Sequence, residues 1–84
     1  MKNEWSSTER EALLCLGHRI ASIRSQKNIS QLSLSLKAGV SKSYMSDLEN
    51  GRRNPSVLVL NRIASALKIP LSSLFEKKEN DFTL

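Results

Sequence analysis

Apolar residues recur at three- and four-residue spacing along much of the chain. Leu13, Leu16, Ile20 and Ile23, with Arg24 in the same register, predict one face of a helix that runs to about Lys27. Ser6-x-x-Glu9 and Thr8-x-x-Glu11 each fit the reciprocal capping box that starts a helix. Asn28 tolerates the left-handed conformation that ends one. Near the other end, Val57, Leu60, Ile63, Ala64 and Leu67 predict a helix that begins at Ser56 and runs to about Lys68. Pro70 breaks it, and a last turn holds Leu71, Leu74 and Phe75.

The stretch between these helices carries a conflict. Leu32, Leu34 and Leu36 alternate with Ser33 and Ser35, which read locally is a strand pattern. The flanks favour a short helix over residues 31–37, with Ser30 as cap in front and Ala38-Gly39 behind. Gly39 suits a tight turn, because glycine takes positive φ without steric cost. Ser41 caps a third helix over residues 42–50, Gly51 closes it, and Pro55 forbids its continuation. The expected fold class is all-α: five helices around one core over residues 1–76, with a polar, flexible tail over 77–84.

Leu34, Ala38, Val40, Met45 and Leu48 are the positions that pack two helices across a sharp bend, with small Ser35 where they approach most closely. That spacing is the one of a helix-turn-helix, over residues 31–50, whose second helix is the one presented to DNA. Charge points the same way. The 84 residues carry a net charge of +5, and residues 12–75 hold nine basic and two acidic side chains between slightly acidic ends. Such segregation favours a polyanionic partner. The single cysteine, Cys15, rules out an internal disulfide and suggests a reducing compartment. No apolar run approaches the roughly 18–20 residues that span a bilayer, and the N-terminus lacks the pattern of a signal peptide. The expected location is cytoplasmic.

The chain resembles the Cro/CI-type helix-turn-helix family of phage repressors and bacterial regulators, also called the Xre family. The matching residues are Leu16-Gly17, Ile29-Ser30-Gln31, Gly39-Val40-Ser41, Leu48-Glu49-Asn50-Gly51, Asn54-Pro55-Ser56 and Ile69-Pro70-Leu71. They spread over about residues 13–76. Within the family, the short length and the Arg52-Arg53-Asn54 stretch resemble the controller proteins of restriction–modification systems. The resemblance implies a compact repressor-type domain that regulates transcription by binding double-stranded DNA, with no cofactor.

The third helix is expected to read bases. With Met45 and Leu48 facing the core, Ser43, Ser46, Asp47 and Asn50 fall on the opposite face, and Lys42 lies at the exposed N-terminal edge. Lys42 is suited to donate to guanine, Ser43 to bond either type of base edge, and Asp47 to accept from cytosine N4. Asp47 has an equal alternative, offsetting Lys42 or Arg53 in solvent. Backbone contacts are expected from Gln31, at a helix N-terminus that favours phosphate, and from Tyr44, Ser46, Asn50, Arg52 and Arg53. The resemblance implies that Arg24, pointing inward, pairs with Glu49 to hold the reading helix. His18 has no partner at ligand spacing, so no metal site is expected. Cys15 reads as a small core or boundary residue, and Trp5 as a packing anchor.

Relatives usually bind inverted repeats as dimers, with half-sites about one helical turn, roughly 34 Å, apart. Leu58, Val59, Ile69 and Leu71 are the expected interface of a homodimer, unless the N-terminal arm covers them through Trp5. Leu32 and Leu36 are expected to be exposed beside the DNA face, against RNA polymerase, an adjacent dimer or the first helix. A different class of function, an antitoxin that neutralises a toxin and regulates its own gene through the same domain, fits the sequence too. An enzyme does not: the chain lacks a phosphate loop, a metal cluster and a nucleophile–base set.

Overall fold

A computed structural model describes residues 4–76, so residues 1–3 and the tail expected over 77–84 lie outside the described residues. Four α-helices and a terminal 3-10 turn follow in order: α1 (Ser7–Gln26), α2 (Gln31–Ala38), α3 (Lys42–Glu49), α4 (Val57–Ala66) and the turn Leu71–Phe75. Each helix starts in the same way. Ser6, Ser30, Ser41 and Ser56 are in extended conformation and accept the backbone N–H three residues on, at 2.9–3.1 Å. A serine hydroxyl thereby satisfies one of the four donors that every helix leaves free at its start. Ser6 is the cap of α1, and its own N–H donates to the Glu9 carboxylate to complete the reciprocal box.

The strand-like alternation in α2 is resolved by burial. On a helix, Leu34 and Ala38 share one face and are fully buried, whereas Leu32 and Leu36 lie on another and are 50% and 71% exposed. Gly39 then takes φ 74°, and Val40 N–H returns to the Ser35 carbonyl. That closes α2 and turns the chain into α3.

The core is a single cluster. Ile20 and Ile23 of α1, Leu34 of α2, Met45 and Leu48 of α3, and Leu60 and Ile63 of α4 meet in it, with Leu74 below. Arg19 ties the last turn to α1 by donating from Nε to the Ser73 carbonyl at 2.9 Å.

Two expectations from the sequence, for Val57 and Cys15, are corrected here, and the expected last turn is present with its final residue outside the core. Val57 falls in the apolar register of α4 but is 66% exposed, because it opens the helix and projects past the edge of the core. Phe75 ends the last turn and is also exposed. Cys15 is neither core nor boundary; it is exposed on α1.

Gly17 in α1 has a role that hydropathy does not show. A Cβ there would collide with the Leu48 carbonyl oxygen and lie 2.6 Å from that of Glu49, so bare backbone lets α1 and α3 touch. Gly17→Ala is expected to destabilise the fold by about 1–3 kcal/mol through overpacking. That exceeds the roughly 1 kcal/mol that alanine gains over glycine inside a helix. Urea unfolding reads the result; an unchanged or higher midpoint would mean that α1 and α3 separate without cost.

Candidate nucleic-acid interface

Glu49 ends α3 and faces inward, with its side chain 5% exposed. A carboxylate out of water is tolerated only when its oxygens are hydrogen-bonded. Here Arg24 of α1 approaches as a fork: Nε donates to Oε2 at 2.8 Å and Nη2 to Oε1 at 3.1 Å. The third guanidinium nitrogen, Nη1, donates to the Ile29 carbonyl at 2.8 Å and so fixes the loop between α1 and α2. The pair implied by the family resemblance is thus present. A further donor was not foreseen. Gln31 Nε2, from the first residue of α2, donates to Glu49 Oε1 at 2.8 Å. One carboxylate therefore ties together the ends of three helices, and no buried side-chain polar atom among the described residues lacks a hydrogen-bond partner.

This arrangement turns the other side of α3 outward. Lys42 and Ser43 are exposed at its N-terminal end, while Tyr44, Ser46 and Asp47 are half-buried. Asn50, expected inside the helix, is its C-terminal cap and donates from Nδ2 to the Ser46 carbonyl at 2.8 Å. Beyond it, Arg52 N–H bonds the Asp47 carbonyl at 2.8 Å, which folds the chain back along the helix. The two arginines then reach the Asp47 carboxylate, Arg52 at 3.5 Å and Arg53 at 3.4 Å. The Arg53 guanidinium also lies 5.3 Å from the centre of the Tyr44 ring. Lys42, Ser43, Asp47, Tyr44, Ser46, Arg52 and Arg53 thus fall on or beside one surface. Gln31 stands at the start of the neighbouring helix with its amide turned to Glu49. Of the two partners the sequence offered Asp47 in solvent, Arg53 is one and Lys42 is not; Arg52 is the other.

The four residues expected at a dimer interface are not equivalent. Leu58 is 72% exposed, whereas Val59, Ile69 and Leu71 are half-buried against the core. Trp5 is half-buried at the start of α1. With Leu58 so open, residues 4–6, the described part of the N-terminal arm, do not cover it.

The family model described as helix-turn-helix matches residues 20–74, the stretch that carries this whole surface. The chain belongs to the HTH_3 helix-turn-helix family. Among its relatives, it is 39% identical over 61 residues to the immunity repressor protein of Bacillus phage phi105, a match over 73% of this chain and 42% of the repressor. The chain thus spans less than half the length of that relative. Its fold is similar to that of the restriction–modification controller protein C.AhdI from Aeromonas hydrophila, with a TM-score of 0.76 at 34% identity, over 77% of this chain and 98% of that one. It is also similar to SinR, a master regulator of biofilm formation solved in complex with DNA, with a TM-score of 0.67 at 37% identity, over 73% of this chain and 98% of that one. These HTH_3 relatives are regulators rather than enzymes by name. No helix among the described residues is long and apolar enough to cross a membrane.

Arg24→Ala is expected to destabilise the HTH_3 domain by about 3 kcal/mol, because the buried Glu49 carboxyl would be left with Gln31 as its remaining side-chain donor. Against a total stability of about 5–15 kcal/mol that is a large fraction. Thermal unfolding by circular dichroism measures it, and a change below about 0.5 kcal/mol, the usual range for surface positions, would show that the pair holds nothing in place.

Proposed function

We propose that this chain is a sequence-specific regulator of transcription that binds double-stranded DNA through α3. The observation that carries the reading is the outer face of α3: short polar side chains with Lys42 and Ser43 free at the leading end, on a helix whose inner face is anchored by Glu49. A helix with short outward side chains sits deep in a major groove, where Lys42 meets guanine O6 or N7 and Ser43 meets either type of base edge. Arg52 and Arg53, held beside the reading helix, are suited to phosphates, and the N-terminus of α2, with Gln31, offers backbone N–H groups to another phosphate. Tyr44, Ser46 and Asn50 line the same strip.

The DNA partner is an inverted-repeat operator bound by a homodimer. Leu58, with Val57 beside it, is the exposed apolar part of the contact between copies, and the half-buried Val59, Ile69 and Leu71 add to it. The match over nearly all of a restriction–modification controller favours that kind of regulated system, and the phage repressor's resemblance favours a phage-type operator next. A regulator of either kind would work in the cytoplasm with its DNA.

Selection from random duplex DNA tests the function directly. It is expected to enrich an inverted repeat with half-site centres about 34 Å apart, and a pool that stays random after several rounds would contradict it. On the selected duplex, Lys42→Ala is expected to cost about 1–3 kcal/mol and to relax the preference at one base pair; an equal loss on every duplex would make Lys42 a phosphate contact. Leu58→Glu is expected to convert the dimer to a monomer in sedimentation. A dimer that persists would place the contact elsewhere.

A further inference from the structure

Residues 12–75 contain two acidic side chains, Asp47 and Glu49, and the fold treats them in opposite ways. Glu49 is buried and fully partnered, while Asp47 is at the surface of the reading helix, with 30% of its side chain exposed, between two arginines that are 67% and 51% exposed. We infer that Asp47 determines specificity by competing with DNA for Arg52 and Arg53. The inference rests on the DNA-binding reading above.

Two cations share this one carboxylate at 3.4–3.5 Å, distances and exposures at which ion pairs are weak and exchange readily. A phosphate, an acceptor of the same bidentate kind, can displace it. The Arg52 N–H bond to the Asp47 carbonyl keeps the backbone of Arg52 beside α3, and the Tyr44 ring lies 5.3 Å from the Arg53 guanidinium, so both arginines start from the edge of the reading helix. Displacement breaks both ion pairs of Asp47. Every duplex meets that cost, and only a duplex that offers the freed carboxylate a base donor, the exocyclic amine of cytosine being the suited one, offsets it. A group that penalises wrong partners adds discrimination without adding attraction to the right one.

The test measures binding of wild type, Asp47→Asn, Arg52→Ala/Arg53→Ala and the triple variant to a random-sequence duplex and to the selected operator. Asn keeps the shape of Asp and leaves the backbone bond intact, so the fold is retained. Asp47→Asn is expected to raise affinity for the random duplex by about two- to fivefold, to steepen its salt dependence, and to lower the ratio of operator to random binding. Most of that gain is expected to vanish when both arginines are absent. An equal gain in both backgrounds would overturn the inference, since the acid would then act through its own charge alone. Unchanged random binding with relaxed preference at one base pair would overturn it too, and make Asp47 a reader only. Wild-type protein that binds no duplex at low salt would remove the DNA-binding reading itself and this inference with it.

Discussion

The Glu49 carboxylate is the constraint on which the rest of the structure depends. Removing an ionised acid from water costs several kcal/mol, and it is recovered only where geometry supplies donors to both oxygens. Arg24 and Gln31 supply them here from two different helices. The end of α3 can therefore occupy only a position in which α1 and the start of α2 are both within hydrogen-bond reach. Gly17 acts on the same joint by contact rather than by charge: bare backbone in α1 meets the carbonyls of Leu48 and Glu49. Hydrophobic burial makes this chain compact, but hydrophobic packing tolerates sliding. The buried carboxylate and the glycine contact set the angle.

Fixing α3 from its inner side leaves the outer side free of structural duty. Met45, Leu48 and Glu49 face in, and Lys42 and Ser43 face out from the same eight residues. The joint also couples the two surfaces proposed to touch DNA, since Gln31 at the start of α2 and the reading face of α3 are held by one group. A domain with a thin core gains from this economy, because a small domain buries a modest share of its surface and has little stability to spread among separate anchors.

Much of this was legible in the sequence because local chemistry decided it. Serine before each helix, Gly39 at the bend and the three- and four-residue spacing of Leu60, Ile63, Ala64 and Leu67 specify elements without reference to the rest of the fold. The Leu32–Leu36 alternation was resolved correctly by its flanks, and burial of Leu34 alone among those three leucines agrees with a helix. Periodicity identifies residues that share a face; it does not say how far the neighbouring layer extends. Val57 and Phe75 stand beyond the layer's edge, and Cys15 is on a side of α1 left exposed among the described residues. The links that build the candidate site were the least legible. Gln31 reaching Glu49 joins positions 18 apart, and Arg52 and Arg53 meet Asp47 only because the chain folds back after α3. A mid-helix glycine, unfavourable by about 1 kcal/mol, was the available signal for the contact at Gly17.

The claim that the outer face of α3, its following arginines and the start of α2 form one DNA-binding surface is tested most directly by backbone amide chemical shifts on titration with the selected duplex. The account predicts large changes at Gln31, at Lys42 to Asp47 and at Arg52 and Arg53, with little change at Glu11, Cys15 and His18 on the outer face of α1. Changes concentrated on α1, with the third helix undisturbed, would contradict it.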